Sequence, residues 1–347
     1  MQRTNRIACV IEPLKTVLLE RPVRAPDADE VLIRIMASAI CGSDLHIFRG
    51  RHPSAPLPVT IGHEFSGVVI EIGRDVENVA VGDRVTLEPV ITCGHCPACE
   101  AGDYGYCENI SFTYRQGDGS MADYITIPAK RVYKIPDEMS FEEGALIEPL
   151  SVAVHAVRRA DIELGETVLV IGGGAVGILI AGLCKLRGAK KIILSDPNEF
   201  RLELSRKFGV THTILARKED VDVHIRELTE GRGVDKSFEC VGSQTTLHQA
   251  MNSLKKNGLA TVVGIFEDTE VTVPVTRFVT HEIKVQGAQG YCRDFPIALG
   301  LASLVPLEKL ITQKFTLDRI QDALELIINK TENSMKVVIR AEDKEYV

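Results

Sequence analysis

Hydrophobic and polar positions follow different patterns in the two parts of the chain. Within the first 150 residues, short aliphatic runs such as VLIRIMA and EFSGVVIEIG are bounded by Gly, Pro or Asp, a pattern typical of short strands. Many short strands in succession predict a barrel-like domain. From Thr167 onward, apolar runs such as TVLVIGGG and KIILSD alternate with helical segments such as AVGILIAGLCKLRG. This alternation predicts right-handed βαβ units and a doubly wound parallel sheet.

The pattern changes again after about Gly287 and sets the predicted domain boundaries. LDRIQDALELIINK has the spacing of an amphipathic helix, and KVVIR is a strand that we expect to rejoin the first domain. We therefore predict an α/β protein in which a cofactor domain, 153–287, is inserted into a catalytic domain formed by 1–152 and 288–347. The charged tail RAEDKEYV is expected to fray.

Composition and charge exclude several classes of protein. A length of 347 residues suits about two domains. The net charge of −8 and the scattered basic residues argue against nucleic acid or an anionic membrane as the main partner. No apolar run approaches the roughly 18 residues that span a bilayer, and the opening MQRTNRIACVIEPL does not resemble a secretory signal. We therefore expect a cytoplasmic protein.

Four cysteines cluster in the segment TCGHCPACEAGDYGYCEN. Cytoplasmic thiols stay reduced, so this cluster favours a metal over disulfides. The spacing C-x-x-C-x-x-C, then seven residues, then C suits a small loop around one tetrahedral zinc ion, with a redox pair as the alternative. A shell of four thiolates leaves no open position, so this zinc is predicted to be structural. The predicted ligands are Cys93, Cys96, Cys99 and Cys107.

A dinucleotide site is predicted where the first strand of the cofactor domain meets a helix. The segment VLVIGGGAVG contains Gly172-x-Gly174-x-x-Gly177, whose glycines permit a tight turn and close approach of the backbone to a pyrophosphate. Asp196 ends the next strand 19 residues later, where a carboxylate can bind both ribose hydroxyls. That charge would repel a 2′-phosphate, so NAD is preferred to NADP. The predicted cofactor contacts are Gly172, Gly174, Ala175, Val176, Gly177, Asp196 and Arg201.

Asp196 also has a purely structural interpretation. In the turn DPNEF it would cap the following helix. Asn198 can supply that cap instead, so the two roles are compatible.

A second metal site is indicated by CGSDLH and GHEFSG in the β-rich domain. Cys41 and His63 are good zinc ligands, and Glu64 and the Glu148 of IEPLS offer carboxylate oxygens. Three protein ligands and one exchangeable position suit catalysis, because zinc polarises a bound alcohol and lowers its pKa, so that hydride can leave from the alkoxide. Spacing alone leaves open that Cys41 and His63 are buried structural residues.

Several motifs together resemble a known family. CGSDLH, GHEFSG, GDRVTLEP, the four-cysteine segment, EEGALIEPLSVAVHA and VIGGGAVG occur in the order and spacing of the zinc-dependent medium-chain alcohol dehydrogenases. The resemblance covers nearly the whole chain and is closest to the branch with sorbitol and other polyol dehydrogenases, near the butanediol and threonine dehydrogenases. It implies a GroES-like catalytic domain, a Rossmann cofactor domain, and two zinc ions and one NAD per chain. Homodimers or homotetramers are common in this family.

The resemblance also implies roles for individual residues. Cys41, His63 and Glu64 match the ligands of the catalytic zinc, and Glu148 matches a further ligand or the residue that holds the zinc-bound water. Ser43 and His46 match a proton relay from the reacting hydroxyl to solvent. A turn at Ser43 and a surface contact at His46 are the simpler alternatives.

The expected substrate is a polyol or diol, whose secondary hydroxyl would be oxidised to a ketone. In several sorbitol and xylitol dehydrogenases an arginine precedes the tyrosine of the corresponding motif, whereas here Gly290 precedes Tyr291 and Arg293 follows it. Either Arg293 replaces that arginine or the pocket takes a shorter diol such as 2,3-butanediol. Threonine is the other alternative substrate.

A protein that is not an enzyme remains a rival hypothesis. In it, the four-cysteine segment is a zinc ribbon and the cofactor domain senses NAD. CPACEAGDYGYCEN carries no Lys or Arg, which argues against a nucleic-acid ribbon.

Overall fold

The computed structural model describes residues 3–268, 270–330 and 333–342, so most of the predicted fraying tail lies outside the described residues. The chain forms two compact units, Met1–Glu148 with Leu307–Val347, and Pro149–Pro306. The predicted cofactor domain, 153–287, lies within the second unit, which extends past the predicted boundary to Pro306. Part of the reason is Asp294, which is fully buried and forms ion pairs with His155 and Arg158 of the same unit.

Eighteen strands are present in the described residues. They are β1 Thr4–Glu12, β2 Lys15–Pro22, β3 Glu30–Ala39, β4 Val59–Thr60, β5 Glu64–Ile72, β6 Arg84–Leu87, β7 Val90–Ile91, β8 Ser111–Phe112, β9 Tyr124–Pro128, β10 Val132–Lys134, β11 Thr167–Ile171, β12 Lys191–Asp196, β13 His212–Leu215, β14 Val234–Glu239, β15 Leu254–Val262, β16 Lys284–Gly287, β17 Ile311–Thr316 and β18 Lys336–Arg340.

Eleven α-helices accompany them over the same described ranges. They are α1 Gly42–Phe48, α2 Pro97–Glu100, α3 Phe141–Ala145, α4 Ile147–Ala160, α5 Ala175–Leu186, α6 Glu199–Arg206, α7 Val221–Leu228, α8 Gln244–Asn252, α9 Thr276–Thr280, α10 Phe295–Leu301 and α11 Ile320–Asn329. None of these helices is long and apolar enough to cross a membrane.

The first unit is built on a seven-stranded sheet in the order β10-β6-β5-β3-β18-β17, with β9 pairing β3. A three-stranded sheet, β2-β1-β4, and a small β7-β8 pair complete it. Two apolar clusters form its core, one around Ile33, Phe65 and Val85, the other around Phe48 and Leu324. The last strand, β18, pairs antiparallel with β3, which confirms that KVVIR returns to the first domain.

The second unit is a six-stranded parallel sheet in the order β13-β12-β11-β14-β15-β16. The apolar run KIILSD forms β12, and TVLVI forms β11, as the sequence predicts. Strand order reverses between β11 and β14, the position at which doubly wound sheets bind ligands beyond their carboxyl ends. The predicted α/β fold class is confirmed.

A buried ion pair fastens the four-cysteine segment to the large sheet of the first unit. Arg131 donates from Nη1 to Glu88 Oε2 at 2.9 Å, and Tyr104 donates from its hydroxyl to Glu88 Oε1 at 2.7 Å. The Arg131 guanidinium also lies 4.0 Å from the centre of the Tyr104 ring. Glu88 is fully buried, so each of its oxygens exchanges water for a partner from the protein.

Candidate active site

The register of two strands brings three metal-ligating side chains together. In the antiparallel pair β3–β5, Ala39 at the end of β3 lies opposite Glu64 at the start of β5. Cys41 follows two residues after Ala39, and His63 immediately precedes Glu64. One ligand atom from each of Cys41, His63 and Glu64 lies within 4.8 Å of the others. The structure thus brings together three residues predicted from CGSDLH and GHEFSG.

Asp44 holds this turn in place. Its Oδ2 accepts the Cys41 N–H at 2.9 Å and its Oδ1 accepts the Gly62 N–H at 3.0 Å. Gly62 has φ +95°, and a Cβ there would lie 2.6 Å from the Met121 nitrogen, so only glycine fits. Asp44 was not among the predicted site residues, although its position in CGSDLH, three residues after Cys41, has the spacing of a capping contact.

Lys336 is the second functional residue that the sequence did not reveal. Its Nζ lies 2.5 Å from a Glu64 carboxylate oxygen and 3.3 Å from the Ile40 carbonyl. The two side chains are 5 % and 0 % exposed, so the pair is shielded from water. The partners are 272 residues apart, and no local pattern connects β18 with β5. A buried carboxylate needs such a partner, because an isolated buried charge is very unfavourable.

The group has the donor chemistry of a zinc site. A thiol sulfur, an imidazole nitrogen and a carboxylate oxygen are all zinc ligands. His63 Nδ1 is buried, has no hydrogen-bond partner among the described residues and lies 3.7 Å from Asp44 Oδ1. The pKa of Cys41 is raised to about 12, mainly by burial and next by the charge of Glu64. A bound cation would reverse that effect and favour the thiolate.

Three further predicted residues lie in the same unit. Ser43, in the first turn of α1, hydrogen-bonds the sulfur of Cys41, and half-buried His46 is in the last turn of that helix. Glu148, in the first turn of α4, is 4 % exposed. Its pKa is raised to about 8, because the effect of burial outweighs the opposing effect of His63. Glu148 is outside the three-residue group found among the described residues.

The four predicted cysteines of the other zinc site also converge. Their sulfur atoms all lie within 4.8 Å of one another. The Cys107 sulfur accepts the Cys93 N–H at 3.3 Å and the Asn109 N–H at 3.4 Å, and the first of these lowers the pKa of Cys107 most. Backbone donors of this kind favour a thiolate. Backbone donors also lower the pKa of Cys93 and Cys96, whereas desolvation raises the pKa of Cys99 to about 11, an effect that a bound cation would reverse.

The glycine-rich turn has the geometry that the sequence predicts for a dinucleotide site. Gly172 has φ +102°, and a Cβ on Gly177 would lie 2.0 Å from the Gly172 oxygen. Gly174 precedes the first residue of α5, and a Cβ there would meet open space. The predicted Ala175, Val176 and Gly177 form the first turn of α5. The N-terminus of this helix directs backbone N–H groups toward the turn, as a pyrophosphate requires.

Asp196 is the last residue of β12 and is 4 % exposed. Its Oδ2 accepts the Gly173 N–H and its Oδ1 accepts the Asn198 N–H, both at 2.7 Å. The Arg201 Nη1 lies 3.8 Å from Oδ2, and the Arg201 Nε is buried without a hydrogen-bond partner in the part of the chain that the structure describes. The helix cap is Asn198, whose side chain accepts the Phe200 N–H at 2.9 Å. Asp196 is therefore not required to cap α6.

Comparison with known proteins assigns the family. The model of the alcohol dehydrogenase GroES-like domain matches residues 27–137, and the zinc-binding dehydrogenase model matches residues 175–303. Sorbitol dehydrogenase of Bacillus subtilis (strain 168) is 35 % identical over 342 residues, which cover 96 % of this chain and 97 % of that protein. The chain belongs to the zinc-dependent medium-chain alcohol dehydrogenases.

Other members of the family are similar to this chain to nearly the same degree. L-Threonine 3-dehydrogenase of Shewanella baltica (strain OS185) is 33 % identical and covers 89 % of this chain and 92 % of that protein. The crystal structure of 2R,3R-butanediol dehydrogenase from Bacillus subtilis superimposes with a TM-score of 0.87 at 31 % identity, covering 97 % and 100 % of the two chains. The predicted family and the predicted GroES-like and Rossmann folds are confirmed.

Membership of the alcohol dehydrogenase family makes this protein an enzyme. The rival hypothesis, a sensor that binds NAD without catalysing a reaction, is therefore rejected. The similar identities to sorbitol and threonine dehydrogenases leave the substrate to be argued from the site itself.

Proposed function

We propose that this protein is a zinc-dependent NAD⁺ oxidoreductase that oxidises a secondary hydroxyl of a polyol to a ketone. The observation that supports this most strongly is the group formed by Cys41, His63 and Glu64. These three residues would hold the catalytic zinc and leave one position for substrate. When bound, zinc supplies Lewis-acid polarisation of the substrate hydroxyl.

The surrounding residues orient that group and move the proton. Asp44 fixes the backbone at Cys41 and Gly62, and Lys336 compensates the charge of Glu64. Ser43 lies beside the Cys41 sulfur, in a position to accept the hydroxyl proton, and His46 would pass it to solvent. We assign Glu148, outside the ligand group, to hold the exchanging water.

The second zinc is proposed to be structural. Cys93, Cys96, Cys99 and Cys107 would fill its coordination shell. The Glu88–Arg131 pair and Tyr104 fasten this lobe to the sheet.

NAD is the proposed cofactor, and Asp196 is the reason. Two backbone N–H groups fix its carboxylate at the end of β12, where a ribose is expected and where a 2′-phosphate would be repelled. Gly172, Gly174, Ala175, Val176 and Gly177 would bind the pyrophosphate, and Arg201 would border the ribose. We also propose a homodimer or homotetramer, following the family, which light scattering would test.

Initial rates of NADH formation test the proposed function. Zinc-loaded protein is assayed with sorbitol, xylitol, galactitol, 2,3-butanediol and threonine, each with NAD⁺ and NADP⁺. The proposal is supported if a polyol with NAD⁺ has the highest kcat/KM of the combinations tested. A higher kcat/KM for 2,3-butanediol or threonine would refute a polyol as the substrate, and a preference for NADP⁺ would refute the proposed role of Asp196.

A further inference from the structure

A cationic cluster lies next to the candidate metal group in the first unit. The Arg115 guanidinium is 5.7 Å from the centre of the Tyr114 ring and 5.6 Å from that of Phe112. The same two rings contact His63, at centroid distances of 5.7 Å and 6.4 Å. An aromatic pair therefore separates the guanidinium from a predicted zinc ligand. Arg115 was not among the predicted site residues.

Arg115 is held by neutral groups. Its Nη2 donates to Ser54 Oγ at 2.7 Å, and its Nε donates to the Tyr114 hydroxyl at 3.3 Å. Within the described ranges, no carboxylate forms an ion pair with it. Most arginines in an acidic chain, whose net charge is −8, have acidic neighbours available. The charge of Arg115 is thus left for a ligand to neutralise.

His52 adds a second donor to this cluster. Its Nδ1 accepts the Ser54 N–H at 3.2 Å, so in the neutral ring the other nitrogen carries the hydrogen and can donate it. The pKa of His52 is lowered to about 4, mainly by burial and next by the charges of Arg115 and His46. His52 is half-buried, whereas Arg115 and Ser54 are exposed, so an anion can reach this electrostatically positive group from solvent.

Nearby acidic residues offset little of this charge: Asp44 raises the pKa of His52, but its effect is smaller than those of burial, Arg115 and His46. Residues 45–63 and 109–117 contain no Asp or Glu. Asp44 is fully buried, and its two oxygens accept the Cys41 and Gly62 N–H groups.

We propose that Arg115, His52 and Ser54 bind an anionic group at the end of the substrate far from the reacting hydroxyl. The substrate class is thereby narrowed to a polyol with a terminal phosphate or carboxylate. This inference rests on the proposed function, because the metal group defines the reacting end. The two ring contacts between Arg115 and His63 place the anion several atoms from the oxidised carbon.

The test compares three compounds with the same six-carbon configuration, sorbitol, sorbitol 6-phosphate and gluconate. Binding to zinc-loaded protein is measured by calorimetry, and turnover by NADH formation. We expect an anionic compound to bind about tenfold or more tightly than sorbitol and to have a correspondingly higher kcat/KM. Tightest binding of sorbitol 6-phosphate indicates a phosphate site, and tightest binding of gluconate indicates a carboxylate site.

Arg115→Gln should reduce affinity for the preferred anion by roughly 10- to 100-fold while changing that for sorbitol less than about threefold. Arg115→Lys, which retains the charge, should recover part of the loss. The matched control is Arg319→Gln, since Arg319 also lies over an aromatic ring, Phe315, at 5.3 Å. It should leave all three affinities unchanged.

Two results would overturn the proposal and separate it from the proposed function. If sorbitol and both anions bind with equal affinity, and Arg115→Gln changes none of these affinities, the proposed anion site is refuted even if sorbitol is turned over. If Arg115→Gln lowers the affinity for all three compounds equally, Arg115 only supports the aromatic pair and does not bind the anion. If anion binding depends on Arg115 but no compound is turned over, the proposed anion site is supported and the proposed dehydrogenase activity is refuted.

Discussion

Replacing Arg131 with methionine should destabilise the first unit strongly, because it removes the partner of a buried charge. The Arg131 and Glu88 side chains are 8 % and 0 % exposed, and their nearest atoms are 2.9 Å apart. Methionine fills much of the same volume but leaves the Glu88 carboxylate without this cation, beside the Tyr104 hydroxyl and the Tyr133 side chain. It also removes the contact between the guanidinium and the Tyr104 ring.

The magnitude follows from the burial of the pair. Removing one partner of a buried ion pair costs about 3–5 kcal/mol. At about 2–4 °C per kcal/mol for a domain of this size, the Tm should fall by about 6–20 °C. The matched control is Arg319→Met. Arg319 and Asp322 are 63 % and 52 % exposed, and such pairs contribute less than about 1 kcal/mol.

Thermal unfolding of zinc-loaded protein, followed by circular dichroism and calorimetry, measures both variants. Glu88→Gln combined with Arg131→Met should recover part of the loss, since a neutral amide is easier to bury than an unpaired carboxylate. A decrease in Tm of less than about 2 °C for Arg131→Met, or one equal to that of Arg319→Met, would refute the reasoning.

Three further variants test other parts of the structure. Cys93→Ser should lower Tm and remove about one zinc per chain, whereas the folded fraction keeps turnover; loss of turnover with zinc content and fold intact would contradict the structural role. Asp196→Ala should lower the ratio of kcat/KM for NAD⁺ to that for NADP⁺ by roughly tenfold, and an unchanged ratio would remove Asp196 from the ribose site. Lys336→Met leaves buried Glu64 without its cation, so adding zinc should raise Tm more in this variant than in the wild type; an equal rise would count against Glu64 as a ligand.

Local patterns predicted the elements whose residues are close in sequence. The strand, turn and helix around Gly172 and the clustered cysteines follow from spacings of only a few residues. Cys41 and His63 are 22 residues apart, yet they converge because β3 and β5 pair in one register. The family motifs predict both residues as ligands, and the strand register is the physical reason that they meet.

Contacts between distant segments could not be predicted from the sequence. Lys336 reaches Glu64 because β18 crosses back beside β3, and the pattern of KVVIR predicts a strand but no ion pair. Arg131 in the turn before β10 and Arg115 near the metal group resemble ordinary surface arginines in sequence. Their roles depend on burial and on neighbouring rings, which only the folded chain defines.

The most direct test of the central claim is the zinc content and turnover of His63→Ala. Zinc per chain should fall from about two to about one, and NADH formation should be nearly abolished, because the variant removes one of the three proposed protein ligands. His224→Ala, at a partly exposed histidine of α7 outside the metal groups, should retain both zinc ions and full activity. Retention of both zinc ions and of turnover by His63→Ala would contradict the assignment of Cys41, His63 and Glu64 as the catalytic metal site.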